Sequence, residues 1–190
     1  MITLTQFQTA TSASPANAVK YFDAFVSAAE RFKVSDQTEL AALCATISVE
    51  SMRLTAVEEG MYYKDAGRLA DIFPRAFASA EEAAPYCRNS AKLSSKLYNG
   101  FHGRGPIQLT WEHNYRLHGD LLGLNFVANP DVLLRPEEGM LAAFSFWAVN
   151  KCGEVAADMN EVTKRVNGPR RMHLQERMAQ FAVAKQALGV

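Results

Sequence analysis

Apolar residues recur along this chain at offsets of three and four, stripe after stripe, and most stripes end on a proline, a glycine or a capping residue. That spacing lays apolar side chains along one face of a helix, so the chain has to fold by packing helices on one another. The first strong helix signal is Ser14-Pro15, an N-cap followed by a first-turn proline, and Val19, Phe22, Phe25, Val26 and Phe32 follow it. Asp36 with Glu39 resembles a capping box, and Leu40, Leu43, Ile47 and Glu50 then fall on one side. Residues 65–98 read as short helices: Leu69, Ile72 and Phe73 stop at Pro74, Ser79 with Glu82 marks the next start, and Pro85 punctuates it. Met140, Leu141, Phe144 and Trp147 form a later stripe. Val155, Met159, Val162 and Val166 form another, stopped by Asn167-Gly168-Pro169, and Leu174, Met178, Phe181 and Leu188 form the last.

Strand signals are few and short. Residues 99–110, NGFHGRGPIQLT, are glycine-rich and then briefly strand-like, and Thr110 is placed to cap a helix through Trp111, His113 and Tyr115. Residues 123–136, with Asn129-Pro130 and Pro136, read mainly as loop. The expectation is a mainly α fold with a minor short β element, a single domain over 1–190, and a small helical insertion at about 65–100.

Composition narrows the function. Hydrophobic residues make up 48% of 190, enough for a sizeable core. Twenty basic and twenty acidic residues cancel, so the global positive field of a nucleic-acid binder is absent. Three cysteines (Cys44, Cys87, Cys152) are an odd number without zinc-site spacing, which argues against a disulfide framework and fits a reducing compartment. The four histidines form no metal-ligand pattern, and neither metal nor cofactor is expected. The first residues lack a basic region ahead of an apolar run, so no ordinary signal peptide is expected, and no apolar stretch suffices for membrane insertion.

The segment SVESMRLTAVEEG, residues 48–60, carries the chemistry. Glu50 extends an apolar stripe at the C-terminal end of its helix. The negative end of the dipole and partial burial both favour a neutral carboxyl there, which a general acid requires. Nine residues of continuous helix would put Glu59 on the opposite face, so paired chemistry requires the helix to end between them. Thr55 and Val57 favour extended backbone and Gly60 permits a turn. Glu58 is the rival for the second role, since neighbours on an extended segment point to opposite faces and only one can aim inward. Two carboxyl groups about 5–5.5 Å apart retain configuration at a glycosidic bond, and at roughly 6.5–9.5 Å they invert it through a water.

GRGPIQLT at 103–110, with Glu50, Glu59 and the downstream TKRVNG at 163–168, resembles the family 19 glycoside hydrolases, which hold chitinases and the chitinase-like endolysins of bacteriophages. The ordered match runs over about residues 40–180. The resemblance implies a lysozyme-like, mainly helical fold and an inverting mechanism, with Glu50 as general acid and Glu59 as general base. By the same resemblance Thr110 helps hold the attacking water. Gln108, Asn114, Tyr115, Tyr63 and Asn167 match sugar-contacting positions. Arg177 matches an arginine that pairs with the catalytic carboxylates, and an arginine beside Glu59 would keep it ionised.

The chain departs from the family pattern at Val49-Glu50-Ser51-Met52-Arg53, at Tyr62, at Pro169 and in a short loop before Gly103. The acid pair is intact, but a typical chitinase cleft is not expected. The reading reached is a phage-type endolysin: a monomeric muramidase acting on the β-1,4 bonds of peptidoglycan glycan strands. It would wait in the host cytoplasm and reach the periplasm and wall through a separate holin. Arg68, Arg75, Arg88, Lys92 and Lys96 in the insertion would help grip the wall. The alternatives are a chitinase, a lytic transglycosylase using Glu50 alone, and a sugar-binding protein without catalysis.

Overall fold

The computed structural model describes residues 2–190, and the expected helical architecture is what it shows. Ten α-helices follow in order: α1 (Leu4–Thr11), α2 (Pro15–Phe32), α3 (Gln37–Glu50), α4 (Ala66–Ile72), α5 (Ala80–Ala83), α6 (Ser90–Tyr98), α7 (Glu112–Leu122), α8 (Pro136–Val149), α9 (Met159–Asn167) and α10 (Leu174–Leu188). Short 3-10 turns cover Ala84–Tyr86, Pro130–Leu134 and Cys152–Val155. The minor β element is two isolated antiparallel bridges, Glu58 to Arg104 and Arg104 to Leu109. Among the described residues no helix is long and apolar enough to cross a membrane.

The N-cap readings at Ser14 and Asp36 hold, each side chain accepting from the backbone N–H three residues on. Several expectations need correction. The first helix is α1, ahead of Ser14, opened by a reciprocal Thr3–Gln6 capping box. The stretch 123–136 is mainly loop and turn, as expected, with a 3-10 turn over Pro130–Leu134 before α8 begins at Pro136. Val155 belongs to a 3-10 turn, not to the helical stripe of α9. Thr110 caps nothing. Trp111 occupies the N-cap of α7 without a side-chain hydrogen bond, while the Thr110 hydroxyl donates to Gln108 O at 2.8 Å.

Helix α3 differs most from its sequence reading. The stripe through Leu40, Leu43 and Ile47 suggests one buried face, yet every residue from Leu40 to Ser48 is buried. The other faces carry Ala41, Ala42, Cys44, Ala45, Thr46 and Ser48, small enough to let neighbours approach all round. Its two hydroxyls are satisfied: Thr46 donates to Ala42 O at 2.8 Å and Ser48 to Thr11 O at 2.7 Å. α3 is thus the central post of the main core, with α1, α9 and α10 packed on it. Trp147 of α8 fastens its start by donating to Glu39 at 2.9 Å.

A second, smaller hydrophobic cluster gathers Met61, Leu69, Phe77, Ala83 and Leu93, with Tyr63, Phe73 and Tyr98 packed on it. It belongs to the segment containing α4, α5 and α6. The glycine-rich segment lends Phe101, Ile107 and Leu109 to the main core. Its Gly105 has φ +79°, and a Cβ there would sit 3.2 Å from Leu133 O, so backbone lies against backbone.

The end of α3 is held under strain. Met52, Arg53 and Leu54 all have left-handed backbones, with φ of 48°, 61° and 62°. Each costs about 1–2 kcal/mol for a residue with a side chain. Ser51 compensates: its hydroxyl accepts from Leu54 N at 2.9 Å and its carbonyl accepts from Ala56 N at 2.8 Å. Arg53 is exposed and its side chain forms no ion pair among the described residues. Arg53→Gly should therefore relieve more strain than it adds unfolded-state entropy, a gain of about 0.5–1 kcal/mol. A thermal melt should rise by roughly 1–4 °C; a fall would show that this turn is not strained.

Candidate active site

The reversal after α3 returns the chain beside the glycine-rich segment, and that return builds half of the site. Glu59 N donates to Gly103 O at 2.8 Å and Gly105 N donates to Val57 O at 2.8 Å, so residues 57–59 run along 103–105. Gly103 N in turn donates to Glu59 Oε2 at 3.0 Å. The Tyr98 hydroxyl, from the end of α6, donates to Glu59 Oε1 at 2.8 Å. Both carboxylate oxygens are therefore fixed by donors from two different elements.

Gln108 and Thr110 close around the same point. A Cβ built on Gly103 would lie 2.8 Å from Gln108 Oε1, 3.4 Å from Glu59 Oε2 and 3.4 Å from Thr110 Oγ1. A side chain at 103 would push aside Gln108 Oε1, the nearest of the three oxygens. Tyr63 stands near as well, half-buried and edge-on to Phe73 with centroids 5.9 Å apart. Burial first, and then the charge of Glu59, push the Tyr63 phenol up. Burial and the hydrogen bond to Glu59 push the Tyr98 phenol up. Both hydroxyls thus remain donors at any working pH.

Glu50 belongs to a second network. It ends α3, half-buried, and forms an ion pair with Arg177 of α10. Asn167, at the end of α9, donates to Glu50 Oε1 at 3.3 Å and accepts from Arg177 Nη2 at 2.9 Å. Arg177 is 1% exposed, so its charge is neutralised inside the protein. The resemblance implies that this arginine pairs with the catalytic carboxylates, and that an arginine near Glu59 would keep it ionised. Arg177 lies against Glu50, and hydrogen bonds from Tyr98 and Gly103 hold Glu59. Buried behind Glu50, Arg177 is a positioning residue and not a direct sugar contact.

Two further placements are corrected. Tyr115 is fully buried, and its hydroxyl donates to His102 O at 2.6 Å while accepting from Arg104 at 3.1 Å. It braces the glycine-rich segment and offers no hydroxyl to a sugar. Burial pushes its phenol up to about 12. The two acids Glu58 and Glu59 were expected to point to opposite faces. Both border one cavity of ≈ 550 Å³, with Tyr62, Ser94, His102 and Arg104 also in its lining. A single bridge pair is too short to impose strand alternation. Asn114 is half-buried, its amide donating to Thr110 O at 2.8 Å.

Three participants escaped the sequence reading. His102 is buried, bridging Ser94 Oγ at 2.6 Å and Glu58 Oε1 at 3.1 Å. Arg104, also buried, lies 3.0 Å from Asp131 and ties the segment down. Tyr98 sits at the end of a helix whose register shows only an apolar position. Its spacing from Glu59 carries no signal, because the contact spans 39 residues.

Comparison with known proteins gives one family. The family model for class I chitinases, glycoside hydrolase family 19, matches residues 4–184. An endochitinase of Arabidopsis thaliana is 30% identical over 164 residues, covering 83% of this chain and 50% of the relative. Acidic endochitinase SP2 of Beta vulgaris is 32% identical over 134 residues, covering 70% of this chain and 41% of its own. Inactive chitinase-like protein 1 of Hevea brasiliensis is 29% identical over 151 residues, covering 72% and 44%. The chain spans about half the length of the curated relatives it matches. Among solved structures, a bacterial family 19 chitinase superposes with a TM-score of 0.68 at 21% identity, covering 100% of this chain and 95% of that one. Chitinase C from Streptomyces griseus superposes with a TM-score of 0.66 at 23% identity, covering 100% and 77%. At these identities the structural likeness speaks for the fold.

Tyr98→Phe removes one hydrogen bond from Glu59 and keeps the ring. It should lower kcat about tenfold with KM and melting temperature nearly unchanged. A fall in stability with unchanged kcat would make Tyr98 a packing residue only.

Proposed function

The chain belongs to glycoside hydrolase family 19, and on that premise we propose that it is an endolysin-type muramidase, hydrolysing β-1,4 glycosidic bonds of bacterial peptidoglycan with inversion. The observation that carries the hydrolytic part is the separate anchoring of two carboxylates. Glu59 is held by the Tyr98 hydroxyl and the Gly103 N–H, and Glu50 by Arg177 and Asn167. In this mechanism Glu50 gives a proton to the leaving oxygen, and Glu59 takes one from the attacking water. Thr110 and Gln108, whose oxygens face the same spot as Glu59, orient that water. Asn167 and Arg177 keep Glu50 aimed. Asn114 and Tyr63 border the sugars near Glu59.

The preference for peptidoglycan rests on charge. Arg88, Lys92 and Lys96 of the segment at about 65–100 are exposed. Chitin has no charge for them to meet, whereas the peptide stems and lactyl groups of the wall carry carboxylates. In this reading the segment is a small wall-gripping subdomain, and the enzyme works as a monomer without cofactor. It accumulates in the host cytoplasm and enters the periplasm when a holin opens the membrane. A chitinase is the second reading, favoured by relatives named as endochitinases.

Mass spectrometry of reduced peptidoglycan digests tests the reading. Reduced muramic ends are expected. Cleavage of chitin but not of peptidoglycan would establish the second reading, and anhydro ends would establish a transglycosylase. Glu50→Gln and Glu59→Gln should each lower turnover by about 10²–10⁴, and Glu50→Gln should also lower the melting temperature, because it takes the carboxylate from the buried Arg177. Undiminished activity of Glu59→Gln would remove the two-carboxylate mechanism.

A further inference from the structure

Trp111 is at odds with its surroundings. It is 47% exposed, while the second tryptophan, Trp147, is 1% exposed and hydrogen-bonded. Its backbone has φ 76° and ψ 139°, a region that suits glycine and not an indole. It starts α7 without a side-chain cap, so helix initiation does not account for it. Its aromatic partner is Tyr98, with ring centroids 5.0 Å apart. Tyr98 is the residue whose hydroxyl donates to Glu59. An exposed indole is therefore joined through one phenol to the carboxylate that acts as base.

The surrounding cleft, ≈ 530 Å³, is lined by Lys96, Tyr98, Asn99, Trp111, His113 and Arg116, among others. Arg116 is tied to Glu112 at 2.6 Å. Lys96 is exposed and forms no ion pair among the described residues. A flat apolar ring with an amide and an ammonium group beside it matches an N-acetylated pyranose that bears an acidic substituent. The C–H face of the sugar covers the indole, the Asn99 amide meets hydroxyl or acetamido groups, and Lys96 meets the carboxylate.

The geometry points to a further glycan subsite in this cleft, with Trp111 as its stacking platform and Lys96 as the group that distinguishes peptidoglycan from chitin. The Lys96 part rests on the peptidoglycan reading; the platform requires only a glycan.

Binding in a Glu50→Gln background tests this without turnover, using chitohexaose and a soluble, uncrosslinked peptidoglycan fragment of similar length. The parent should bind both with a change in tryptophan emission, since the exposed indole is covered while Trp147 is already buried. Trp111→Gly should weaken both ligands about tenfold, the size of one good aromatic contact. Its melting temperature should hold or rise, because glycine suits that backbone. Lys96→Ala should weaken only the peptidoglycan fragment, about two- to fivefold, with the difference vanishing at high salt. Unchanged binding of both ligands in Trp111→Gly overturns the platform. Equal effects of Lys96→Ala on both ligands overturn the discriminating role. If the parent binds chitohexaose alone and Trp111→Gly weakens it, the platform stands and the peptidoglycan reading falls.

Discussion

The stop at the end of α3 is the constraint on which the site depends. Two acids nine residues apart cannot serve one bond from a continuous helix, so the helix has to end at the first and the chain has to double back. Three successive left-handed residues make the reversal, and Ser51 holds it with both its hydroxyl and its carbonyl. At the helix end itself, Glu50 is gripped by α9 and α10 through Asn167 and Arg177. A guanidinium as buried as Arg177 would cost several kcal/mol unpaired, so this ion pair fixes where the last two helices can sit more than it adds net stability. Packing of α10 on α3 and the geometry of the acid are thereby one problem with one solution.

The opposite side of the site uses neutral donors. Glu59 is held by a phenol and a backbone N–H, with an amide and a threonine hydroxyl beside it, and glycine at 103 leaves their shared spot open. The two carboxylates thus meet different surroundings, one facing a fixed cation and the other facing dipoles. The second hydrophobic cluster bears on this side too, since Tyr98 belongs to its packing and reaches Glu59. The segment that carries α4, α5 and α6 therefore supports the site mechanically as well as bordering it.

Much of the helical architecture was legible because caps and apolar periodicity act locally. Ser14, Asp36 and the stop at Asn167-Gly168 each read correctly from a few neighbours. Helix α1 was missed because its short apolar pattern is weak, although Thr3 and Gln6 carry a capping-box signal. α3 read as one-sided because alanine, cysteine and serine register poorly as core, and only the tertiary packing shows that they admit neighbours. Glu50, Glu59, Gln108, Thr110 and Asn167 were singled out by motif and resemblance, and the fold gathers them into two networks. Which of the two carboxylates Arg177 meets depends on how α10 crosses α3, a contact 127 residues apart that no local pattern carries. Tyr115 reads as a sugar contact only through its match to the family pattern, whereas its hydroxyl is consumed in bracing His102 and Arg104. His102 and Tyr98 had no local pattern at all.

The central claim is that residues 50 and 59 act from opposite sides of one sugar–sugar bond, with a water beside the second. The most direct measurement is the anomeric configuration of the first product formed, read by proton NMR before mutarotation. An α-anomer released from a β-linked strand is the result this account predicts. A β-anomer would mean that no water stands between Glu59 and the sugar, and the arrangement described here would then be wrong.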